Sequence, residues 1–171
     1  MKKPTVDESA YIAPSADVLG EVRIGKKANI WHHATLRGDV DRIEVGDYSN
    51  VQDNCVLHVS EGVPCIVGDY VTVGHSAILH SCTIGNHSLI GMGAIVLDGA
   101  KIGEHVLVGA GSMVTKNKEI PNGCLVMGRP AKVIRMLTEE EIAYMAESAQ
   151  HYIDAAEAFQ SGEIKDYHEC R

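Results

Sequence analysis

The chain has 171 residues, a formal net charge of −8 from 15 basic and 23 acidic side chains, and only 5% aromatic residues. That length suits one domain, and an acidic balance with no basic cluster and no aromatic-basic interleaving excludes nucleic-acid binding. Lys2 and Lys3 are not followed by an apolar stretch and no long apolar run occurs, so neither a standard secretion signal nor a membrane span is expected and the chain is read as cytoplasmic.

From the N-terminus the dominant signal is an aliphatic residue at every sixth position: Ile12, Val18, Ile24, Ile30 and Leu36. The register resumes at Val45, Val51 and Leu57, and again at Val67, Val73 and Leu79. It then runs unbroken through Ile84, Ile90, Val96, Ile102, Val108, Val114, Ile120 and Val126. A helix repeats near 3.6 and a strand at 2, so a period of six describes a short strand, a turn and a restart, the pattern of a hexapeptide solenoid. Longer steps after Leu36 and Leu57, and a shorter one after Leu79, predict two loops and one local slip. Insertions of this kind gather on one face, often the binding face. Glycine directly follows Ile24, Val45, Val67, Val73, Ile84, Ile90, Ile102 and Val108, where a corner must turn or approach its neighbour closely. Three hexapeptides make one triangular coil, and stacked coils pair as parallel strands about 4.8 Å apart around an aliphatic core.

The solenoid is predicted over residues 1–131, ending near Gly128-Arg129-Pro130-Ala131, where Pro130 prevents a simple further coil. Residues 132–171 hold a helix and a tail. Thr138 with Glu141 matches a capping box, and Ile142, Met145, Ala149, Ile153 and Ala156 form one apolar stripe. That stripe needs a surface: the end of the solenoid, its flank, or a neighbouring subunit. Residues beyond Gly162 are polar and predicted to fray. Cys55, Cys65, Cys82, Cys124 and Cys170 lack paired C-x-x-C spacing and are read as reduced thiols.

The six-residue register sorts the histidines. Arg37, His58 and His80 each directly follow an inward aliphatic residue, so they should stack on one face. His75 stands two after Val73, sharing that offset with Asp53 and His32, on another side of the same coil. One chain does not readily bring His75 to His58 and His80, whereas prisms packed about a threefold axis would. Three neutral imidazoles with open positions are what catalytic zinc uses, and imidazole also suits iron, cobalt and copper. Taken singly, each histidine is a surface or interface residue; the shared face favours ligation. His87 and His105 share an offset and should stack on adjacent coils, without a third ligand. His32 and His33 follow Trp31 near the first loop, His151 and His168 read as surface residues, and Cys82 as a buried small hydrophobe.

Arg37-Gly38-Asp39, Asn50-Val51-Gln52-Asp53, His58, and His75 with His80 together resemble the gamma-class carbonic anhydrases and their hexapeptide-repeat relatives over nearly the whole chain. The repeat and Gly-Arg-Pro-Ala alone are shared with many acyltransferases. The resemblance implies an all-β, left-handed parallel β-helix with a C-terminal α-helix, assembled as a homotrimer with three interfacial metal sites. Its left hand comes from the resemblance only, since the usual rule for parallel connections predicts the right hand. It further implies that His58 and His80 of one subunit and His75 of the next bind Zn, with Fe(II) or Co(II) as alternatives. A metal-bound hydroxide would then attack carbon dioxide to give bicarbonate. Gln52 would orient that hydroxide or the substrate, and Arg37, Asp39 and Asp53 would form a charge network across the trimer contact.

Two departures from the family's archaeal prototype stand out. The segment from Val59 to Ile66 is short where the prototype has a long acidic loop, and Val40 stands where a carboxylate would be. Glu61 is left as the candidate proton shuttle, against the plainer reading of a solvent-exposed loop residue. Tyr152 on the helix is a candidate to reach the metal pocket, with helix packing as the equal alternative. Three functions compete: a carbonic anhydrase of full or low activity; a hexapeptide acyltransferase or coenzyme A thioester hydrolase with one histidine as general base; and a non-catalytic metal-binding or assembly protein. The histidine set favours the first over the second, and fold analogy does not separate the first from the third.

Overall fold

The computed structural model describes residues 2–165. His168 and Cys170, singled out above, lie outside the described residues, as do residues 166–171 generally. The chain winds into a left-handed parallel β-helix of about seven turns, followed by one C-terminal α-helix.

Each column of the six-residue register lies on one face of the prism. On the first face Leu36, Leu57, Leu79, Val96 and Val114 pair in succession. Val45, Val67, Ile84, Ile102 and Ile120 form the second. Ile12, Ile30, Val51, Val73, Ile90, Val108 and Val126 form the third. From Ile24 onward every residue of the register is at most 3% exposed. Burying such side chains contributes roughly 1.5–3 kcal/mol each, so the columns carry most of the favourable term.

Two residues before many of the column positions stands a small buried side chain, among them Ala28, Ala34, Ala77, Ala94 and Ala100. Cys55, Cys65, Cys82 and Cys124 occupy this same position and are buried free thiols. Burial pushes the Cys55 thiol up to about 12, which leaves it inert. One residue earlier still, the backbone turns the corner in the left-handed region, at His33, Tyr48, Asn54, Tyr70, Ser76, His87, His105 and Asn117 among others. The glycines after the column residues therefore serve close approach, not the turn. A Cβ on Gly91 would lie 2.5 Å from the amide nitrogen of Ala110 on the next coil.

The first expected loop is instead a strand. Thr35–Val45 runs continuously across a corner, pairs along Asp17–Ile24, and hands its two ends to Val56–His58 and Cys65–Val67. The extra residues bulge out of that ladder between Gly38 and Ile43, and Gly20 passes directly beneath the Gly38 carbonyl, where any side chain would collide. The second insertion remains a turn, held by a bridge between Ser60 and Val63.

At the C-terminal end Cys124–Gly128 folds back through the cis Arg129–Pro130 peptide and pairs antiparallel with Ala131–Met136. This strand breaks the parallel pattern and is not predicted by the six-residue register. Helix α1 (Glu139–Gln160) starts at Thr138 with the expected capping box and buries Met145, Ala149, Ile153 and Ala156; Ile142 stays exposed. The helix lies on the flank of its own solenoid, over the third face. Trp31 anchors it, with the rings of Tyr152 and Phe159 each 5.6 Å away and Tyr11 at 5.4 Å. Lys27 adds an exposed ion pair to Glu157 at 2.8 Å. Among the described residues no helix is long and apolar enough to cross a membrane.

Candidate metal centre

Arg37, His58 and His80 stand on three successive strands of the first face in exact lateral register. Because each follows an inward leucine, strand alternation turns all three outward on the same side. His58 Nδ1 and His80 Nε2 come within 3.1 Å of each other. The remaining nitrogens are held by carboxylates: His58 Nε2 by Asp39 at 3.1 Å and His80 Nδ1 by Asp98 at 2.9 Å. Arg37 pairs with the other oxygen of Asp39. Lys2 donates to the carbonyls of Asp39 and Val40 at 3.0 and 2.9 Å, tying down the bend that carries Asp39.

Burial raises the Asp39 carboxyl, but the hydrogen bonds from His58 and Arg37 outweigh it and hold the group below the usual range. Asp98 behaves likewise: burial raises it, and hydrogen bonds from its own backbone and from His80 prevail.

The second cluster lies around the corner, beneath α1. His75 Nδ1 meets Asp53 at 2.9 Å, and its Nε2 lies 3.3 Å from the Tyr152 hydroxyl. Gln52 is buried; its carbonyl accepts from the His75 amide at 3.1 Å and its amide donates to Asn50, which in turn donates to Thr72. Burial raises the Tyr152 phenol, helped by the Asp53 charge, so it stays protonated at neutral pH. A cleft of about 390 Å³ opens beside these groups, between α1 and the third face, with Leu89, Met92 and Leu107 on its apolar side.

Within one chain, then, His58, His80, Arg37 and Asp39 come together, while His75, Asp53, Gln52 and Tyr152 form a separate group. Among the described residues no three potential ligands of one chain converge on a point. Asp53 meets His75, not the Arg37–Asp39 pair. Glu61 sits exposed in the Ser60–Val63 turn. His87 and His105 stack at 4.9 Å, as their shared offset predicts, and Tyr70 and Tyr48 extend the same column. Asp98 escapes the sequence reading, although it stands 18 residues after His80, about one coil further on.

The first cluster fits a metal ion by its donor set. Two imidazole nitrogens 3.1 Å apart suit a shared ion bonded at about 2.0–2.1 Å, and each ring has its outer nitrogen held by a carboxylate, as ligating histidines do. A third imidazole with the same carboxylate support is His75.

A family profile described as bacterial transferase hexapeptide (six repeats) matches residues 81–116. The chain is 44% identical over 160 residues to a carbonic anhydrase of Geobacillus kaustophilus, covering 94% of this chain and 88% of the relative. It is 45% identical over 172 residues to gamma carbonic anhydrase 2, mitochondrial, of Arabidopsis thaliana, covering 97% of this chain but spanning only 62% of the plant protein. Among solved structures, a hexapeptide transferase family protein from Anaplasma phagocytophilum superposes with a TM-score of 0.88 at 49% identity, over 91% of this chain and 92% of that one.

Proposed function

This chain belongs to the hexapeptide-repeat family of left-handed parallel β-helices related to the gamma-class carbonic anhydrases, and from that premise we propose that it is a metal-dependent carbonic anhydrase, a cytoplasmic homotrimer that hydrates carbon dioxide reversibly to bicarbonate. The observation that carries the reading is the His58–His80 pair, nitrogens 3.1 Å apart and each braced by a carboxylate, with a third braced imidazole on a different face. His58 and His80 of one copy and His75 of its neighbour would hold the ion, zinc first, with Fe(II) or Co(II) as alternatives. When bound, such an ion acts as a Lewis acid that brings the pKa of a water to about 7, making it a nucleophile toward carbon dioxide at neutral pH.

The chain's own residues prepare that site. Arg37 fixes Asp39, and Asp39 fixes the ring of His58. Asp53 does the same for His75. Gln52 clamps the His75 backbone and keeps a second amide hydrogen for orienting substrate. Tyr152 remains a neutral donor beside His75 Nε2. Glu61, exposed near the loop after His58, is the side chain we assign to passing the released proton to solvent. Two further features support assembly: the first face exposes Val56 and Ile78 beside its histidines, and the apolar cleft lies beside His75, so each surface offers the other an apolar partner.

Stopped-flow carbon dioxide hydration by protein loaded separately with zinc, cobalt and anoxic ferrous iron tests the proposal, with His75→Ala as the control. Metal-dependent turnover should vanish in the variant while the metal-free melting curve stays put, because His75 lies outside the aliphatic columns. Full metal occupancy in a purified H75A trimer would sink the cross-subunit site. Tight metal binding without turnover would leave a non-catalytic metal-binding or assembly role.

The cleft favours one second reading. Its volume of about 390 Å³ exceeds the needs of carbon dioxide and leaves room for an acyl group beside His75 as general base, the arrangement expected of an acyltransferase or coenzyme A thioester hydrolase. Thioester turnover by metal-free protein would support it.

A further inference from the structure

We propose that Asp98 is a positioning residue for the metal centre: by accepting a hydrogen bond from Nδ1–H of His80 it fixes that imidazole as the Nδ1–H tautomer and so presents a bare Nε2 lone pair to the ion. The inference rests on His80 being a metal ligand, as read above.

The geometry is specific. Asp98 Oδ1 lies 2.9 Å from His80 Nδ1, and His80 Nε2 faces His58 Nδ1 at 3.1 Å, so one ring nitrogen is committed outward and the other inward. Neutral histidine free in water favours the opposite, Nε2–H tautomer, which would block ligation through Nε2; the hydrogen bond at one nitrogen decides the state of the other. Asp98 is itself braced. Its second oxygen accepts from Ser60 Oγ at 3.2 Å and lies 3.5 Å from Lys116 Nζ, so the carboxylate links the loop after His58, the coil of His80 and the next coil along. Ser60 is held in turn, its amide donating to Ser81 Oγ at 2.6 Å. Asp53 stands in the same relation to His75 Nδ1, which makes the arrangement a repeated device within the chain.

The test is ¹⁵N NMR of histidine-labelled, metal-free, full-length protein at a pH where the imidazoles are neutral, with His80 assigned by its loss in H80Q. The wild type should show His80 protonated at Nδ1 and bare at Nε2. In Asp98→Ala the population should shift toward Nε2–H, and zinc should bind about 10–100-fold more weakly by competition with a chromogenic chelator. S60A and K116A break the other links of Asp98 and should leave the tautomer unchanged. A wild-type His80 found as Nε2–H overturns the proposal even if D98A fails to fold, as does a D98A protein with unaltered tautomer or unaltered zinc affinity. These readouts hold whether or not the protein hydrates carbon dioxide, so failure here and failure of the proposed activity are told apart.

Discussion

The solenoid and the C-terminal helix solve the same problem, burying an apolar surface, by opposite means. In the solenoid each inward residue meets its counterpart one coil away, and the three aliphatic columns repeat the same contact along the whole prism. The helix has no such periodic partner. It is held by a single aromatic cluster, Tyr11, Trp31, Tyr152 and Phe159, by four small or aliphatic side chains, and by capping at its first turn. The difference separates stability from chemistry. The histidines project outward from coils whose core does not use them, while His75 depends on both regions, since Asp53 belongs to the solenoid and Tyr152 to the helix.

The largest expected effect that divides the two regions is Ile84→Ala. Ile84 is 1% exposed on the second face, between Val67 and Ile102 and away from both histidine groups. Losing it leaves a cavity in a stack that cannot collapse without shifting its neighbours, at a cost of about 2–5 kcal/mol. Urea denaturation should move by that amount, while zinc bound per folded chain stays the same. A loss of zinc in the folded fraction would show that core and site are coupled after all.

The same contrast explains what could be read from the sequence. A period of six assigns each aliphatic residue to a face, and one position further fixes the outward direction of Arg37, His58 and His80, so their alignment is legible without coordinates. Asp98 is harder to see because the short step from Leu79 to Ile84 makes the intervening coil one residue shorter, and the carboxylate reaches back from a different offset. The run Thr35–Val45 reads as a loop because its ladder depends on Asp17–Ile24 lying alongside it, a pairing that no local pattern announces. Ala131–Met136 is antiparallel for a similar reason: its partner is the strand just before it, not a coil. The apolar stripe of α1 is plain in sequence, but its destination is not, because Trp31 and Phe159 are brought together only by the complete fold.

A smaller effect should appear at the start of the helix. Thr138 caps it by accepting from the Glu141 amide at 3.2 Å, while the Glu141 carboxylate accepts from the Thr138 amide at 2.9 Å. Thr138→Ala should cost about 1 kcal/mol. Trp31 is the single tryptophan and touches α1 directly, so its fluorescence reports helix docking. If the two regions are separable, the fluorescence transition should move to lower urea before the far-ultraviolet signal of the solenoid follows. Coincident shifts in both signals would mean that helix and prism unfold as one unit.

The smallest expected effect is a pH dependence confined to the helix. The hydrogen bonds from Arg135, and then from the Thr138 backbone, hold the Glu141 carboxyl down at about 2, against an ordinary value of 4.5. A carboxyl whose folded value is depressed contributes stability that is fully present above its unfolded value and is lost as pH falls through the folded one. The stabilising contribution of Glu141 should therefore be constant above about pH 4.5 and fade between there and about pH 2. Glutamine at this position keeps the shape and the capping oxygen but not the charge, so the difference between wild type and Glu141→Gln isolates the ion pair with Arg135. That difference, followed by Trp31 fluorescence in urea, should shrink toward zero across the window, and high salt should weaken it because the pair is exposed. A difference that persists unchanged at pH 2 would assign the role of Glu141 to its shape alone, and the helix would then owe its attachment to the aromatic cluster and the neutral cap.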